Sequence, residues 1–283
     1  VKVNDRLNPK YHIGDHDFSI QYMARNGSSS MPRPHKHPYF EMYYLLGGER
    51  MYFVNDKIFT VKKGDMMIIP PHELHSTASS DKLLFERVLI SFSESFIEQS
   101  NANAAELLKH GESRLMRIPL RDQPEIERLL HLMQVECKTK EAHYISLVCS
   151  LMNELLIRLH RIEATLQSKV APEYEHPMHQ KISEIARYIK SNYHERLTLE
   201  QVAKQFYISP SYLSRIFFKL TGFHFREYLQ TVRVWEAQEK LISSRESVQV
   251  ISEQMGFEHT AHFNKIFKKV TGTTPLQYRK RHG

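Results

Sequence analysis

The chain has 283 residues, 41% of them hydrophobic and 25% charged, which is the composition of an ordinary soluble protein and the length of two domains. No run approaches the roughly 18 apolar residues of a membrane-spanning helix, and the start lacks a basic-then-apolar leader, so a cytoplasmic protein without a membrane partner is expected. The net charge of +7 is uneven: residues 1–178 carry 22 Lys and Arg against 23 Asp and Glu, whereas residues 179–283 carry 17 against 9. A basic half joined to a neutral one suits a module that releases counterions from phosphates, although a solvated basic face has the same composition.

From Phe18 to about Ser91 short apolar runs alternate with turn residues, giving strands at Phe18 to Met23, Tyr39 to Leu46, Met51 to Val54, Lys57 to Val61, Met66 to Ile69 and Leu83 to Ser91. Gly47-Gly48, Asn55-Asp56 and Lys63-Gly64 supply the turns, and strands this short and this closely spaced predict a sandwich or barrel. After Ser93 the apolar period becomes helical. Pro124 suits the first turn of a helix carrying Ile126, Leu129, Leu130 and Met133. A longer helix from about Ala142 to Leu166 places Ile145, Val148, Met152, Leu155, Leu159, Ile162 and Leu166 in a seam at steps of three and four. That seam either packs on the chain's own barrel or joins two chains. Cys137 and Cys149 fit neither a zinc cluster nor a disulfide framework and are expected to be buried and reduced.

Residues 169–178 contain Pro172 and Pro177 without periodicity and read as a linker between a domain over 1–168, helical from about 94, and a second domain over 179–283. The second domain is helical throughout and repeats itself. At an offset of fifty, Ile216, Phe217, Lys219, Thr221, Gly222 and Tyr228 recur as Ile266, Phe267, Lys269, Thr271, Gly272 and Tyr278. One supersecondary unit is therefore used twice.

In the first copy Thr198 and Gln201 have the spacing of a capping box, Ala203 is small where helices cross, and Ser209-Pro210 is an N-cap followed by proline. Leu213, Ile216 and Phe217 form the inward stripe, which leaves Ser211, Tyr212, Ser214 and Arg215 outward, as on a recognition helix. In the second copy Gly256 makes the turn, Phe263, Ile266 and Phe267 point in, and Thr260, Ala261, Asn264 and Lys265 point out. Asn can pair with adenine and Lys with guanine in the major groove. Lys268, Lys269 and Arg279 are candidates for phosphate contacts, along with Lys280 and Arg281.

With these residues in place, 179–282 resembles the DNA-binding domain of AraC/XylS-type transcription regulators. Gly256-Phe257, Phe263, Phe267-Lys268-Lys269, Gly272-Thr273-Thr274-Pro275 and Tyr278-Arg279 carry the resemblance. The chain departs from it at Tyr207, where the first turn often has glycine, and at Ser252, where the second unit usually has alanine. The resemblance implies seven helices, with a connecting helix at about Phe225 to Ser243 presenting both recognition helices to successive major grooves of double-stranded DNA. It also implies a homodimer, contact with RNA polymerase, and activation more often than repression.

In the first domain His35, His37, Glu41 and Gly48, with Gly64, Pro70 and His75, resemble the two motifs of cupin barrels, although His72 stands where cupins carry glycine. The expected architecture is a two-domain α+β chain: a cupin-like β-barrel with appended helices, then an all-α domain of two helix-turn-helix units. Odd positions of an extended segment share a face, so His35, His37, Glu41 and Tyr43 can line the barrel. With His75 they are expected to bind a small polar effector such as a sugar, with no cofactor. The alternative use of His35, His37, Glu41 and His75 is to hold a divalent metal, as in a cupin enzyme fused to a DNA-binding domain. A constitutive DNA-binding protein is the remaining alternative. No nucleophile constellation or phosphate-cradling glycine loop is present, so catalytic residues are not expected.

Overall fold

The computed structural model describes residues 8–15, 17–27, 34–80, 84–98, 108, 113–166 and 176–282. They fall into two compact units, Val1–Glu175 and His176–Gly283. Of the expected linker, residues 169–175 lie outside the described set, and Pro177 and Met178 open a helix. No helix among the described residues is long and apolar enough to cross a membrane.

The first unit is an antiparallel β structure backed by helices. Its strands are β1 (Lys10–Ile13), β2 (Phe18–Asn26), β3 (Phe40–Val54), β4 (Lys57–Lys62), β5 (Asp65–Ile69), β6 (His75–Ser79), β7 (Leu84–Phe92) and β8 (Arg114–Arg117). They form the order β1-β2-β7-β3-β5-β8, with β4 and β6 pairing the far half of β3. Thus β3 belongs to two sheets, which curls the network into a cupin-like barrel.

The expected turn at Gly47-Gly48 is instead a bulge inside this one 15-residue strand. Leu45 pairs with Arg87 and Gly47 with Glu86, so Leu46 is the extra residue. Gly48 adopts φ +84°, and a Cβ there would overlap the Leu84 carbonyl oxygen, so glycine is required for close approach rather than for reversal. Across the bulge the side-chain parity switches. Tyr43 and Leu45 before it and Tyr52 and Val54 after it join the same inner cluster with Val61, Met67, Ile69 and Phe85.

The outer face of the sheet, with Met42, Tyr44, Met66, Ile68, Val88 and Ile90, packs under α1 (Glu94–Glu98), α2 (Gln123–Thr139) and α3 (Tyr144–Leu166). From α2 come Ile126, Leu129, Leu130, Met133 and Cys137, one stripe at helical spacing. Each such side chain contributes about 1.5–3 kcal/mol on burial. Of the expected α3 seam, Val148, Met152, Leu155, Leu159 and Ile162 enter this same core, whereas Ile145 is exposed. The seam is therefore spent on the chain's own barrel. Tyr44 donates to Glu127 (3.0 Å) and Arg114 pairs with Glu163 (2.9 Å), tying the helices to the strands. Cys137 is buried, which pushes its thiol up to about 11, while Cys149 is only half-buried.

The second unit has seven helices among the described residues: α4 (Pro177–Ser191), α5 (Leu199–Gln205), α6 (Pro210–Thr221), α7 (Phe225–Ser243), α8 (Val248–Gln254), α9 (Thr260–Thr271) and α10 (Pro275–His282). Their ends follow from local chemistry. Thr198 and Gln201 close a reciprocal capping box at α5, and the Ser209 and Ser247 hydroxyls cap α6 and α8. Gly222 and Gly272, at φ +77° and +78°, terminate α6 and α9 in the left-handed conformation.

The connecting helix α7 is apolar on two sides. Tyr228 packs edge-on against Phe217 and Phe223 of the first copy. Val234, Ala237 and Leu241 enter the cluster of Ile251, Met255, Phe257, Phe263 and Phe267 in the second.

Candidate nucleic-acid interface and ligand site

The two helix-turn-helix units, α5–α6 and α8–α9, share one turn geometry. Tyr207 at φ +55° and Gly256 at φ +79° occupy corresponding positions. Ile208 donates to the Ala203 carbonyl (3.0 Å) as Phe257 does to that of Ser252 (3.0 Å). Tyrosine thus takes the left-handed conformation that the expected glycine would take freely, and the residue is 93% exposed. Tyr207→Gly should raise stability by about 0.5–1 kcal/mol, the relief of left-handed strain outweighing glycine's entropy cost. Urea unfolding measures it, and a loss of stability would mean that the ring has a structural task.

Ser252, the other departure, is fully buried but satisfied: its hydroxyl donates to the Gln249 carbonyl (2.8 Å) and lies 3.1 Å from the Thr260 hydroxyl.

On α6, Leu213 and Phe217 are buried, Ser211 and Arg215 exposed, and Tyr212 and Ser214 half-buried, with the Arg215 guanidinium 5.6 Å from the Tyr212 ring. On α9, Phe263 and Phe267 are buried and Ala261, Asn264, Lys265, Lys268 and Lys269 exposed. Ile216 and Ile266, expected to point in, are half-buried. Thr260 is half-buried as well, because its hydroxyl turns back to Ser252. Lys269 lies 3.7 Å from Glu227, which partly neutralises it.

Arg279, a candidate phosphate contact, also has a task within the fold. It donates to the carbonyls of Leu241 (3.1 Å) and Glu246 (2.6 Å), clamping α10 to the end of α7 and the segment leading into α8. Sequence reasoning missed its counterpart, Arg233 on α7, which donates to the carbonyls of Tyr193 (2.7 Å) and Glu195 (2.8 Å) between α4 and α5. Arg279 follows Tyr278 by one residue and Arg233 follows the matching Tyr228 by five, so the two sit one helical turn apart on one face. That displacement hid the correspondence. Arg233 also lies 5.5 Å from the Phe257 ring in the second unit's turn, so one side chain touches both units.

In the first unit β3 and β6 bring the expected histidines together. His35 pairs with His75 in an isolated backbone bridge, and the ligand nitrogens of His35, His37 and His75 lie within 4.8 Å of one another. His37 and His75 are buried and His35 exposed. Their Nδ1 atoms face backbone carbonyls, of Tyr39 at 2.8 Å and Glu73 at 3.0 Å, so both Nε2 atoms turn toward Glu41 Oε2, at 3.0 and 3.7 Å. Burial works against the Glu41 carboxylate, but the His37 hydrogen bond and the charges of His75, His37 and Arg87 hold it below its ordinary range. Burial pushes His75 down against the pull of Glu41. His72, at the cupin glycine position, adopts φ +64°, as that position demands.

Sequence reasoning missed two cations of the barrel interior. Arg50 is 3% and Arg87 8% exposed. Arg50 donates to Ser79 (3.0 Å) and Thr77 (3.3 Å) and lies 4.4 Å from the Phe85 ring. Arg87 donates to Gln21 (3.0 Å) and lies 5.4 Å from the Tyr43 ring. Tyr43 and Tyr52 meet edge-on at 5.0 Å, and burial pushes the Tyr43 hydroxyl up to about 12. Period-two alternation restarted after the bulge is the signal that would have found Arg50, since it shares the even positions of Tyr52 and Val54.

A barrel with a buried polar interior and a duplicated helix-turn-helix together define a ligand-binding regulator of transcription. Residues 22–156 match the AraC-like ligand binding domain family and residues 202–281 the helix-turn-helix domain family. The chain belongs to the AraC family of transcription regulators and is a regulator rather than an enzyme. The HTH-type transcriptional regulator YfiF of Bacillus subtilis is 25% identical over 269 residues, 94% of this chain and 84% of that one. The HTH-type transcriptional activator RhaR of Escherichia coli K12 is 25% identical over 253 residues, 87% of this chain and 86% of that one. The crystal structure of ToxT from Vibrio cholerae O395 aligns over 94% of this chain and 98% of that one, at 14% identity and a TM-score of 0.38.

Proposed function

We propose that the protein is a cytoplasmic transcription activator controlled by a small polar effector, such as a sugar, held in the barrel of residues 1–168. In this reading residues 179–283 bind DNA as a homodimer and 169–178 link the two domains. What carries the proposal is the paired geometry of α6 and α9, two equivalent helices with buried aromatic undersides and exposed polar outer faces, held by one connecting helix. Ser211, Tyr212, Ser214 and Arg215 on α6, and Thr260, Ala261, Asn264 and Lys265 on α9, would contact base edges in grooves about 34 Å apart. Lys268 and Lys269 would contact phosphate. Arg279 would help only through what its two carbonyl bonds leave over. A dimer contact would use a surface other than the α3 seam, and activation would bring RNA polymerase to the bound promoter; RhaR, similar over most of its length, is named an activator.

His37, Glu41, Tyr43 and His75, with His35 at the mouth, would contact the effector. Binding shifts the regulator only by the difference in effector affinity between its two arrangements. Footprinting and affinity measurement on a selected operator, with and without candidate effectors, test the reading. An operator bound in two adjacent major grooves, with affinity or transcription altered by an effector, is expected; the same footprint and transcription across a broad metabolite panel would overturn effector control.

One observation favours a second reading of the barrel. The Nδ1 atoms of His37 and His75 are fixed by backbone carbonyls, the arrangement that orients metal-bound imidazoles, and three histidine nitrogens and a carboxylate converge. The donor set fits a divalent transition metal, which His35, His37, Glu41 and His75 would hold. Metal analysis of the purified protein decides it: a stoichiometric ion lost on His75→Ala supports a metal, and a metal-free protein that still answers its effector excludes one.

A further inference from the structure

The buried charges of the first unit do not balance around the barrel's inner face. Among the described residues its buried acidic, arginine and lysine side chains are Glu41, Asp65, Arg50 and Arg87, beside the buried His37 and His75, and Asp65 is committed to Arg117 at 3.0 Å. Two guanidiniums thus share the interior with one carboxylate. Arginine keeps its charge under all ordinary conditions. Taking a cation out of water without a matching charge is expensive, and an anion that enters such a site offsets that cost.

Arg87 shows where that anion would sit. One Nη donates to Gln21 (3.0 Å) and reaches Met23 Sδ (3.8 Å), both neutral, while Nη1 is buried with no hydrogen-bond partner. Nearby, the Tyr43 hydroxyl lies beside Arg50, and His75 Nε2, buried, reaches no closer than 3.7 Å to Glu41. Register sets Arg87 opposite Leu45 and its guanidinium over the Tyr43 ring, so it faces the interior cluster rather than the helices.

We infer that the effector is a small monocarboxylate, a sugar acid being the natural case, whose carboxylate binds Arg87 with Arg50 as the second cation and whose body lies against Tyr43 and Tyr52. This rests on the reading of the barrel as the effector site. A carboxylate brings a single negative charge to this interior and a phosphate ester about −1.5 to −2, so the phosphate arm of the test separates the two. The planar fork of arginine also matches a carboxylate in two parallel hydrogen bonds, so an orphaned Nη1 is the right half of such a pair.

The test uses the full chain and a panel of D-glucuronate, D-galacturonate and C2 to C7 hydroxy and keto acids. Each is paired with its primary amide or parent neutral sugar, with glucose 6-phosphate as the phosphate arm. Thermal shift and calorimetry read binding, and operator affinity reads response. A carboxylate should raise the Tm and alter operator affinity, with its neutral partner at least tenfold weaker. Arg87→Gln should lower carboxylate affinity about 100-fold, Arg87→Lys should restore part of it, and unliganded Arg87→Gln should be as stable as the wild type or more so, since a buried unbalanced charge is gone.

A neutral sugar that binds equally to wild type and Arg87→Gln, yet is lost in Tyr52→Phe or Glu41→Gln, overturns the carboxylate assignment and leaves the effector barrel standing. Preference for the phosphate arm overturns it too. A panel in which no compound changes Tm or operator affinity counts against both, and a destabilised unliganded Arg87→Gln would make Arg87 a structural residue.

Discussion

Arg233→Ala will destabilise the second unit by about 2–3 kcal/mol and weaken operator binding more than that loss alone predicts. The side chain donates to the Tyr193 and Glu195 carbonyls and covers the Phe257 ring. Its removal leaves a partly buried carbonyl without its charged donor, at about 1–3 kcal/mol, and takes away a cation–π contact of about 0.5–1 kcal/mol. For a unit of this size that is a fall in Tm of roughly 10 °C or more. The excess loss on DNA arises because Arg233 ties the segment before α5 to the turn before α9. Without it the two recognition helices keep their own folds but lose their fixed relation. Arg233→Lys supplies a single point donor and should recover less than half. The measurement is thermal melting of the full chain, with affinity for one-groove and two-groove operators below the melting range. Equal fractional losses on both operators would show that Arg233 stabilises without aligning.

The second large effect is on base preference. Arg215→Ala and Lys265→Ala should each relax discrimination at particular base pairs by about 1–3 kcal/mol, without comparable loss on random DNA. Both residues are exposed on the outer faces of α6 and α9, with Leu213 and Phe217, or Phe263 and Phe267, buried behind them. Lys268→Ala should weaken binding evenly and reduce the salt slope by about one. Lys269→Ala should do the same more weakly, because Glu227 already offsets that charge. Binding-site selection with each variant, over a range of salt, gives the profile. Uniform losses from Arg215→Ala and Lys265→Ala would demote both to phosphate contacts.

The second unit was legible in the sequence because its determinants are local. The capping box of Thr198 and Gln201, the Ser209 cap and the left-handed Gly272 depend on neighbours a few residues away, and the buried stripe of each recognition helix is a helical period. What stayed hidden there was tertiary: whether Arg279 meets phosphate or the Leu241 carbonyl depends on where another helix ends. In the first unit the histidine cluster was legible from spacing. The strand β6, His75-Ser76-Thr77-Ala78-Ser79, was not, because its residues look like a loop yet are mostly buried, where Thr77 and Ser79 receive Arg50. Arg50 and Arg87 escaped notice because an arginine on a strand normally marks the wet face, and because two glycines that spell reversal were in fact a bulge.

That extra residue at Leu46 means that β3 is written in two reading frames. Upstream, odd numbers speak to the inner cluster; downstream, even numbers do, and Arg50 is inside only by virtue of the shift. Deleting Leu46 from this chain would put the two halves out of phase and turn Arg50 outward with Tyr52 and Val54. The side of the strand on which Arg50 falls is therefore set by chain length as well as by residue identity.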